Sequence, residues 1–419
     1  MKKILYIVAN PFSYRRRSVG GNISSANGVI KSFRDAGYEV DVLSDDMIPG
    51  LEKDLKGIKI IFFSLYHFRL LFTKLNFGNF IDRILLKIEN YVFQNVLSKK
   101  LNELLKVNKY EYCYVRASSN SHVIADLIKK FKIKLIVEVN KPLSMRPYNT
   151  DGTVNWPKNK KNVIISEAEK IQYEASKMIT VDSTLRARWI LDFVGDYKDK
   201  ILINHNGVDI DNFKPKKKDK KILNSLGFTS SDIIVGMASS FRWYNDLKEL
   251  FEIILHTIKK NNQVKFLLIS GDKKKADKIY LQIKKNNLSE FVKLSVEVPF
   301  CEMPTMLNLC DICLSHFNFH KKWPHNCSIK HLEYLALAKP VVATDVGEVN
   351  FAVENSINGY LCKEGEIDEY VDAIDRLARD HFLRQKLGDN GRNKAILKLT
   401  WEKNIQRIIN FISSLSEKN

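Results

Sequence analysis

No run of apolar residues in this sequence reaches the ~18–20 that a bilayer-crossing helix requires, so no membrane span is expected. The opening MKKILYIVAN resembles a signal peptide in outline only. Its apolar stretch is too short and leads straight into a polar loop, which points to a first strand. Cysteine is scarce, and Cys113, Cys301, Cys310, Cys313, Cys327 and Cys362 lie mostly within apolar segments. Cys310 and Cys313 form one CxxC, but no second pair and no histidine pair completes a zinc site. Free thiols in a reducing cytoplasm are expected. No GxGxxG follows the first strand, which removes a dinucleotide site. The Asp-x-Asp at Asp209-Ile210-Asp211 begins in the NGVD segment, and no Asp-x-Asp suits a divalent cation. Asp45-Asp46 follows a strand but lacks further ligands, so no metal requirement is expected. Carboxylate pairs and nucleophile constellations are absent as well, and neither an internal repeat nor a helix-turn-helix pattern appears.

What is present is bulk and positive charge. At 419 residues the chain exceeds what one core usually supports, and two domains are expected. The formal charge of +19 suits nucleic acid, an anionic membrane or anionic substrates. A lysine-rich genome is the plainer explanation, given the abundance of Lys, Ile and Asn together. Nucleic acid is disfavoured because no aromatic–basic recognition motif accompanies the charge.

Taken in order, Lys3–Ala9 is an apolar strand. A loop with Arg15, Arg16 and Arg17 follows and ends in Gly20-Gly21. Ile23–Asp35 has helical spacing, and Glu39–Ser44 is a second strand. This is a βαβ unit of a doubly wound fold. After a third strand at Ile58–Ser64, the block Leu65–Lys106 carries apolar residues at three- and four-residue spacing (Phe80, Ile84, Ile88, Tyr91), which predicts amphipathic helices. Their basic residues suit an anionic membrane face. The alternative is a helix pair covering the first sheet, with solvated lysines outside. Tyr112–Arg116 and Lys134–Val139 are further strands. The latter ends at Asn140, on the sheet edge where ligands bind in such folds. Met178–Asp182 and Ile201–Asn204 complete the series. Lys214–Lys221 (KPKKKDKK) reads as a charged linker, giving a first domain over 1–213, a linker over 214–230, a second domain over 231–400 and a last helix over 401–419. A second doubly wound series begins at Ile233 and continues through strands at Lys265–Ser270, Val292–Val298 and Asp311–Leu314.

The densest signal lies between Trp323 and Cys362. Asn326 and Ser328 are good helix N-caps, since their side-chain oxygens can accept from free first-turn N–H groups. Pro340 ends the helix that follows. Val341, Val342 and Ala343 form a buried strand, and Gly347 permits a tight turn. A helix N-terminus suits phosphate. Lys330 sits one turn before Glu333, and a carboxylate there can accept from two ribose hydroxyls. That combination is what a nucleotide-sugar site requires.

The run SIKHLEYLALAKPVVATDVGEV resembles the nucleotide-sugar signature of the retaining GT-B glycosyltransferases of the family-4 type (glycosyl transferases group 1). Asn358-Gly359-Tyr360-Leu361, Asn206-Gly207-Val208-Asp209, the loop SSFRWYND and the C-terminal RQKLGDNGRNKAILKLTWEKN are similar to other pieces of that family. The resemblance implies two Rossmann-like α/β domains facing a central cleft, with the last helix returning across the first domain. It implies transfer of a hexose-type sugar from a UDP- or GDP-sugar to a glycan or lipid-linked cell-envelope acceptor. A metal and a cofactor are not expected, and the donor is the substrate. By the same resemblance Glu333 holds the ribose, Asn326, Ser328, Ile329 and Lys330 meet the diphosphate, and His325 stands at the donor-binding position that contacts the sugar hydroxyls. Gly20 and Gly21 let the first loop approach the donor, while Ser240, Arg242 and Asn245 bring the second domain's loop to the phosphates. Pro299 and Phe300 pack the nucleobase, and Asn140 faces the donor sugar; Asn140 and Glu333 are the implied catalytic pair. Two positions depart from the family: its usual Glu is His325 here, and its usual Lys is Asn245. Those losses support an alternative, a GT-B protein that binds a partner or sugar nucleotide without turnover. An anionic membrane surface is a candidate partner, with the protein cytoplasmic or peripheral at the inner face of the membrane.

Overall fold

A computed structural model describes residues 2–8, 21–44, 51, 56–62, 79–145, 163–241, 246–271, 273–317 and 328–417. Two parallel sheets organise them. The first has seven strands in the order β3-β2-β1-β4-β5-β6-β7. These are β1 (Lys2–Ile7), β2 (Tyr38–Ser44), β3 (Ile58–Phe62), β4 (Tyr112–Arg116), β5 (Lys134–Val139), β6 (Met178–Val181) and β7 (Ile201–Ile203). The second has six strands in the order β10-β9-β8-β11-β12-β13. Its members are β8 (Ile233–Ser239), β9 (Val264–Ser270), β10 (Val292–Val296), β11 (Ile312–Ser315), β12 (Val341–Thr344) and β13 (Gly359–Cys362). In both, the order reverses beside the first strand, between β1 and β4 and between β8 and β11. Crevices at such switch points, outside the carboxyl ends of the strands, are where ligands bind.

The sequence forms these strands because both faces are buried. In β4, Cys113 and Val115 enter one apolar cluster while Tyr112 and Tyr114 enter the opposite one. Helix α1 (Gly21–Asp35) covers the second of these faces with Ile23, Val29, Ile30 and Phe33. Helix α2 (Asn79–Val107) is a single element of 29 residues. It buries Phe93, Leu97, Leu101 and Leu105, one per turn, against the other face. The residues that serve the core are not those whose spacing was read from sequence: Ile88 and Tyr91 are exposed, the side chains of Phe80 and Ile84 lie outside the described residues, and so do residues 63–78. Among the described residues no helix is long and apolar enough to cross a membrane.

The charged stretch after Phe213 is packed against the second sheet's unit. Lys216 N–H donates to Asn308 at 2.9 Å and Lys218 pairs with Asp311 at 2.6 Å. Asp219 caps a short helix over Lys220–Ser225, and Val208, Phe213 and Leu223 join the core beneath the second sheet.

The chain crosses between the units twice, side by side. Helix α12 (His381–Lys398) packs on the second sheet's unit, and α13 (Trp401–Glu417) returns to the first. There Ile405, Ile408 and Ile412 pack with β1 and α1, at helical spacing. Val208 N–H donates to Leu399 O at 2.8 Å, and Asn404 donates to His205 O at 2.7 Å.

Candidate nucleotide-sugar site

Helix α10 (Ile329–Ala336) projects from the second unit toward the first. Ser328 stands at its N-cap in extended conformation, but its side chain does not accept from the first-turn N–H groups, contrary to the capping expected from sequence. His331 N–H turns back to Ser328 O at 3.0 Å, while the N–H groups ahead of it and the positive end of the helix dipole suit an anion. Ile329 reaches into the core cluster of the first sheet, joining the two units at the helix start. Tyr334 fixes the helix from behind, its hydroxyl accepting from Ala238 N–H at 3.0 Å at the end of β8. His331 is fully buried, with Nε2 2.7 Å from Ser315 Oγ. Burial, with a smaller push from Lys330, lowers its pKa to about 3, so it is a neutral peg.

Lys330 and Glu333 share the outward face but do not pair with each other. Lys330 Nζ lies 4.1 Å from the centre of the Phe317 ring, a cation–π contact. Glu333 faces α1, where Ser24 is its neighbour. Each keeps some accessible surface at the cleft and is otherwise packed round by protein atoms, and burial dominates both titrations. It lowers Lys330 to about 7 and raises Glu333 to about 7, the Ser24 hydroxyl pulling the latter weakly downward. A buried cation and a buried carboxylate, one turn apart and each without an ionic partner among the described residues, are suited to a ligand with phosphate at one end and hydroxyls next to it.

The remaining predicted positions fall around this helix in part. Pro299 accepts from Glu302 N–H at 2.9 Å, setting a tight turn that presents Phe300. Phe300 packs against the cores of both units, with its ring 6.1 Å from that of Phe213. Ser240 follows β8, and the next residue, Phe241, is buried with a φ of 43°. Gly21 opens α1. Gly20, Arg242, Asn245, His325 and Asn326 lie outside the described residues.

Asn140 lies on the first unit. It follows β5 and lines a small polar cavity with Glu138, Asp182, Asn204 and Asn206; Lys330 and Glu333 do not line it. The cavity is walled by a network that sequence reading missed. Arg116 donates to Glu138 at 3.0 Å and to Ser25 of α1 at 2.5 Å. A polar residue ending an apolar strand, as Arg116 does after YCYV, was the available signal. Also missed was Glu348, beyond β12. It accepts from Thr184 N–H at 2.7 Å and meets His205 Nε2 at 2.5 Å, joining the two units. Burial alone would raise its pKa, but these contacts outweigh burial and hold it below the usual carboxylate range. The five described cysteines are free thiols; burial pushes Cys310 up to about 12, so the CxxC is inert.

Residues 218–394 match the family model described as Glycosyl transferases group 1. Among solved structures, Anabaena HepE in complex with UDP and glucose superposes with a TM-score of 0.70 at 18% identity, over 99% of this chain and 100% of that one. The fold is GT-B. The match to the family model lies in the second GT-B unit, which carries α10. An uncharacterised glycosyltransferase of Methanocaldococcus jannaschii is 26% identical over 220 residues, 52% of this chain and 55% of that one. A poly(ribitol-phosphate) alpha-N-acetylglucosaminyltransferase of Staphylococcus aureus is 27% identical over 213 residues, 50% of this chain and 41% of that one. The chain spans about half the length of these curated relatives.

Proposed function

We propose that this chain is a retaining glycosyltransferase that moves a hexose-type sugar from a UDP- or GDP-sugar to a glycan or lipid-linked cell-envelope acceptor. One observation carries the reading: α10 brings an N-terminus that its N-cap side chain leaves open, a half-buried lysine and a half-buried carboxylate, neither with an ionic partner among the described residues, to the cleft within two turns. The N–H groups and Lys330, with Arg242 from its loop, receive the diphosphate. Glu333 accepts from the ribose hydroxyls, and Phe300 offers the nucleobase an apolar wall. The relatives named as glycosyltransferases and the UDP complex of the structural neighbour support it.

Transfer then needs positioning and charge stabilisation rather than a protein nucleophile. The acceptor hydroxyl attacks from the face the diphosphate leaves, and a departing phosphate oxygen takes its proton. Lys330 and the α10 dipole stabilise the charge growing on that leaving group. The role assigned to them asks for no divalent cation and no cofactor. Incubation with UDP-glucose, UDP-N-acetylglucosamine and GDP-mannose is expected to release free nucleotide from one donor, equally with and without chelator. Nucleotide binding with no release from any donor, across a panel of acceptor glycans, would leave the non-catalytic reading instead.

The acceptor is proposed to lie at an anionic membrane, on the cytoplasmic side. The support is α2, along which Ile88, Tyr91 and Lys99 are exposed. The side chains of Arg83 and Lys87 lie outside the described residues. Each basic residue near such a surface contributes about 1 kcal/mol, screened by salt. Sedimentation with phosphatidylglycerol vesicles should carry the protein down at low salt and release it at high salt. Neutralising Arg83, Lys87, Lys99 and Lys100 should weaken the attachment. Protein left in the supernatant at low salt would remove this part of the proposal.

A further inference from the structure

A groove of about 700 Å³ runs between the end of α12, the turn at 349–354 and the start of α13, away from α10. That size accommodates a small molecule. Its polar wall carries Lys394, Lys398, Lys403 and Arg407 against a single carboxylate, Glu354. Glu354 is taken by Lys394 at 2.6 Å. Arg407 donates its Nε–H to Asn204 at 2.8 Å, a neutral partner that leaves the guanidinium charge uncompensated. Lys398 and Lys403 are exposed and meet no carboxylate at ion-pair distance among the described residues. Three cations with no carboxylate at ion-pair distance among the described residues therefore face one concavity, where Glu354, already held by Lys394, is the one nearby negative charge. Its opposite wall is apolar, formed by Phe351 and by Leu397, which is 67% exposed.

We propose that this groove is a second ligand site, for a small molecule carrying phosphate-type negative charge on an apolar or ring-shaped body. Lys398 and Lys403 act as mobile point charges and Arg407 as a fixed fork for an oxyanion. The groove also spans the junction of the units. Arg407 is held by Asn204 at the end of β7, and Phe351 stacks on His205 with centroids 3.8 Å apart. A ligand gripped by Lys398 on one side and Arg407 on the other ties α12 to α13 across the two crossings.

The site does not depend on the nucleotide-sugar reading, and its test separates the two. Inorganic pyrophosphate is titrated into the full chain with UDP present in excess, at constant ionic strength set by chloride. Pyrophosphate binding that persists under UDP is expected, falling at least tenfold in the Lys398→Glu/Lys403→Glu double variant while UDP binding changes less than twofold. Leu397→Ser, which leaves the charges in place, should keep pyrophosphate binding and shows that the groove is intact. Binding that UDP abolishes belongs to the α10 site and overturns the proposal, as does binding that survives the double variant. Capture by phosphatidylglycerol vesicles without pyrophosphate binding would likewise overturn it, because the charge would then belong to a membrane face and not to a soluble-ligand pocket.

Discussion

Glu333→Gln is expected to stabilise the ligand-free protein above pH 7 while weakening its hold on nucleotide. Glu333 titrates near 7 in the folded chain, against an ordinary value of 4.5. Its contribution to stability is whole below about 4.5 and is lost as pH rises to about 7, where the folded chain must ionise a buried carboxyl. Lys330 runs the other way, titrating near 7 instead of 10.5. Its contribution is whole above about 10.5 and is lost as pH falls through about 7. Near neutrality both side chains therefore cost stability. Removing the carboxylate should return on the order of 2 kcal/mol at pH 8, reduced from the full linkage value by water at the cleft. The same change deletes charged hydrogen bonds to ribose, roughly 1.5–3 kcal/mol or about ten- to hundredfold in affinity. Free nucleotide and full sugar donor should lose affinity together, since both carry the ribose. Urea unfolding at pH 5 and pH 8, with nucleotide titration on the same variant, checks both halves. A variant destabilised at pH 8, or unchanged in affinity, would remove Glu333 from the role.

Gly207→Ala should cost about 1–3 kcal/mol, toward the upper end, because the obstacle is backbone that cannot rotate away. A Cβ at Gly207 would sit 2.7 Å from both Cα and N of Trp401, where the chain returns from the second unit to the first. The glycine answers to that close approach of two crossings, not to a left-handed turn. The loosening should concentrate in α13, so amide exchange should accelerate at Ile405, Ile408 and Ile412 more than in β8 or β9. An unchanged unfolding midpoint would show that the crossings have slack.

The architecture was legible because doubly buried parallel strands write continuous apolar runs, and β1, β4, β5, β8, β11 and β12 all do so. Pro340 marked a helix end correctly. The position of Glu333 within α10 was legible for the same local reason. What escaped was contact between residues distant in sequence. Nothing near Lys330 announces that its amine will rest on Phe317, or that Glu333 will turn away from it toward Ser24. The pairing of Arg116 with Glu138 depends on β4 and β5 being neighbours, and that of Glu348 with Thr184 and His205 on two separate units meeting. Amphipathic spacing in α2 was read correctly as a helix, yet the same spacing serves a sheet-covering helix and a membrane-facing one. The tertiary contacts of Phe93, Leu97, Leu101 and Leu105 decide how that half of the helix is used. Asn140 follows β5, as read, and shares a small cavity with the polar ends of β6 and β7, company that its local sequence does not announce.

The central claim is that α10 holds a nucleoside diphosphate between Lys330 and Glu333, which have no ionic partner among the described residues. Isothermal titration with UDP, GDP, CDP and ADP at pH 7, repeated in buffers of different ionisation enthalpy, tests it most directly. One of the four should bind, with opposed proton uptake and release that leave little net dependence on the buffer until one of the two groups is removed. Phosphate raises the lysine pKa and the ribose hydroxyls lower that of the carboxyl, so proton uptake should dominate in Glu333→Gln and proton release in Lys330→Met. Failure of all four nucleotides to bind would contradict the claim, and so would a bound nucleotide whose proton exchange neither variant alters.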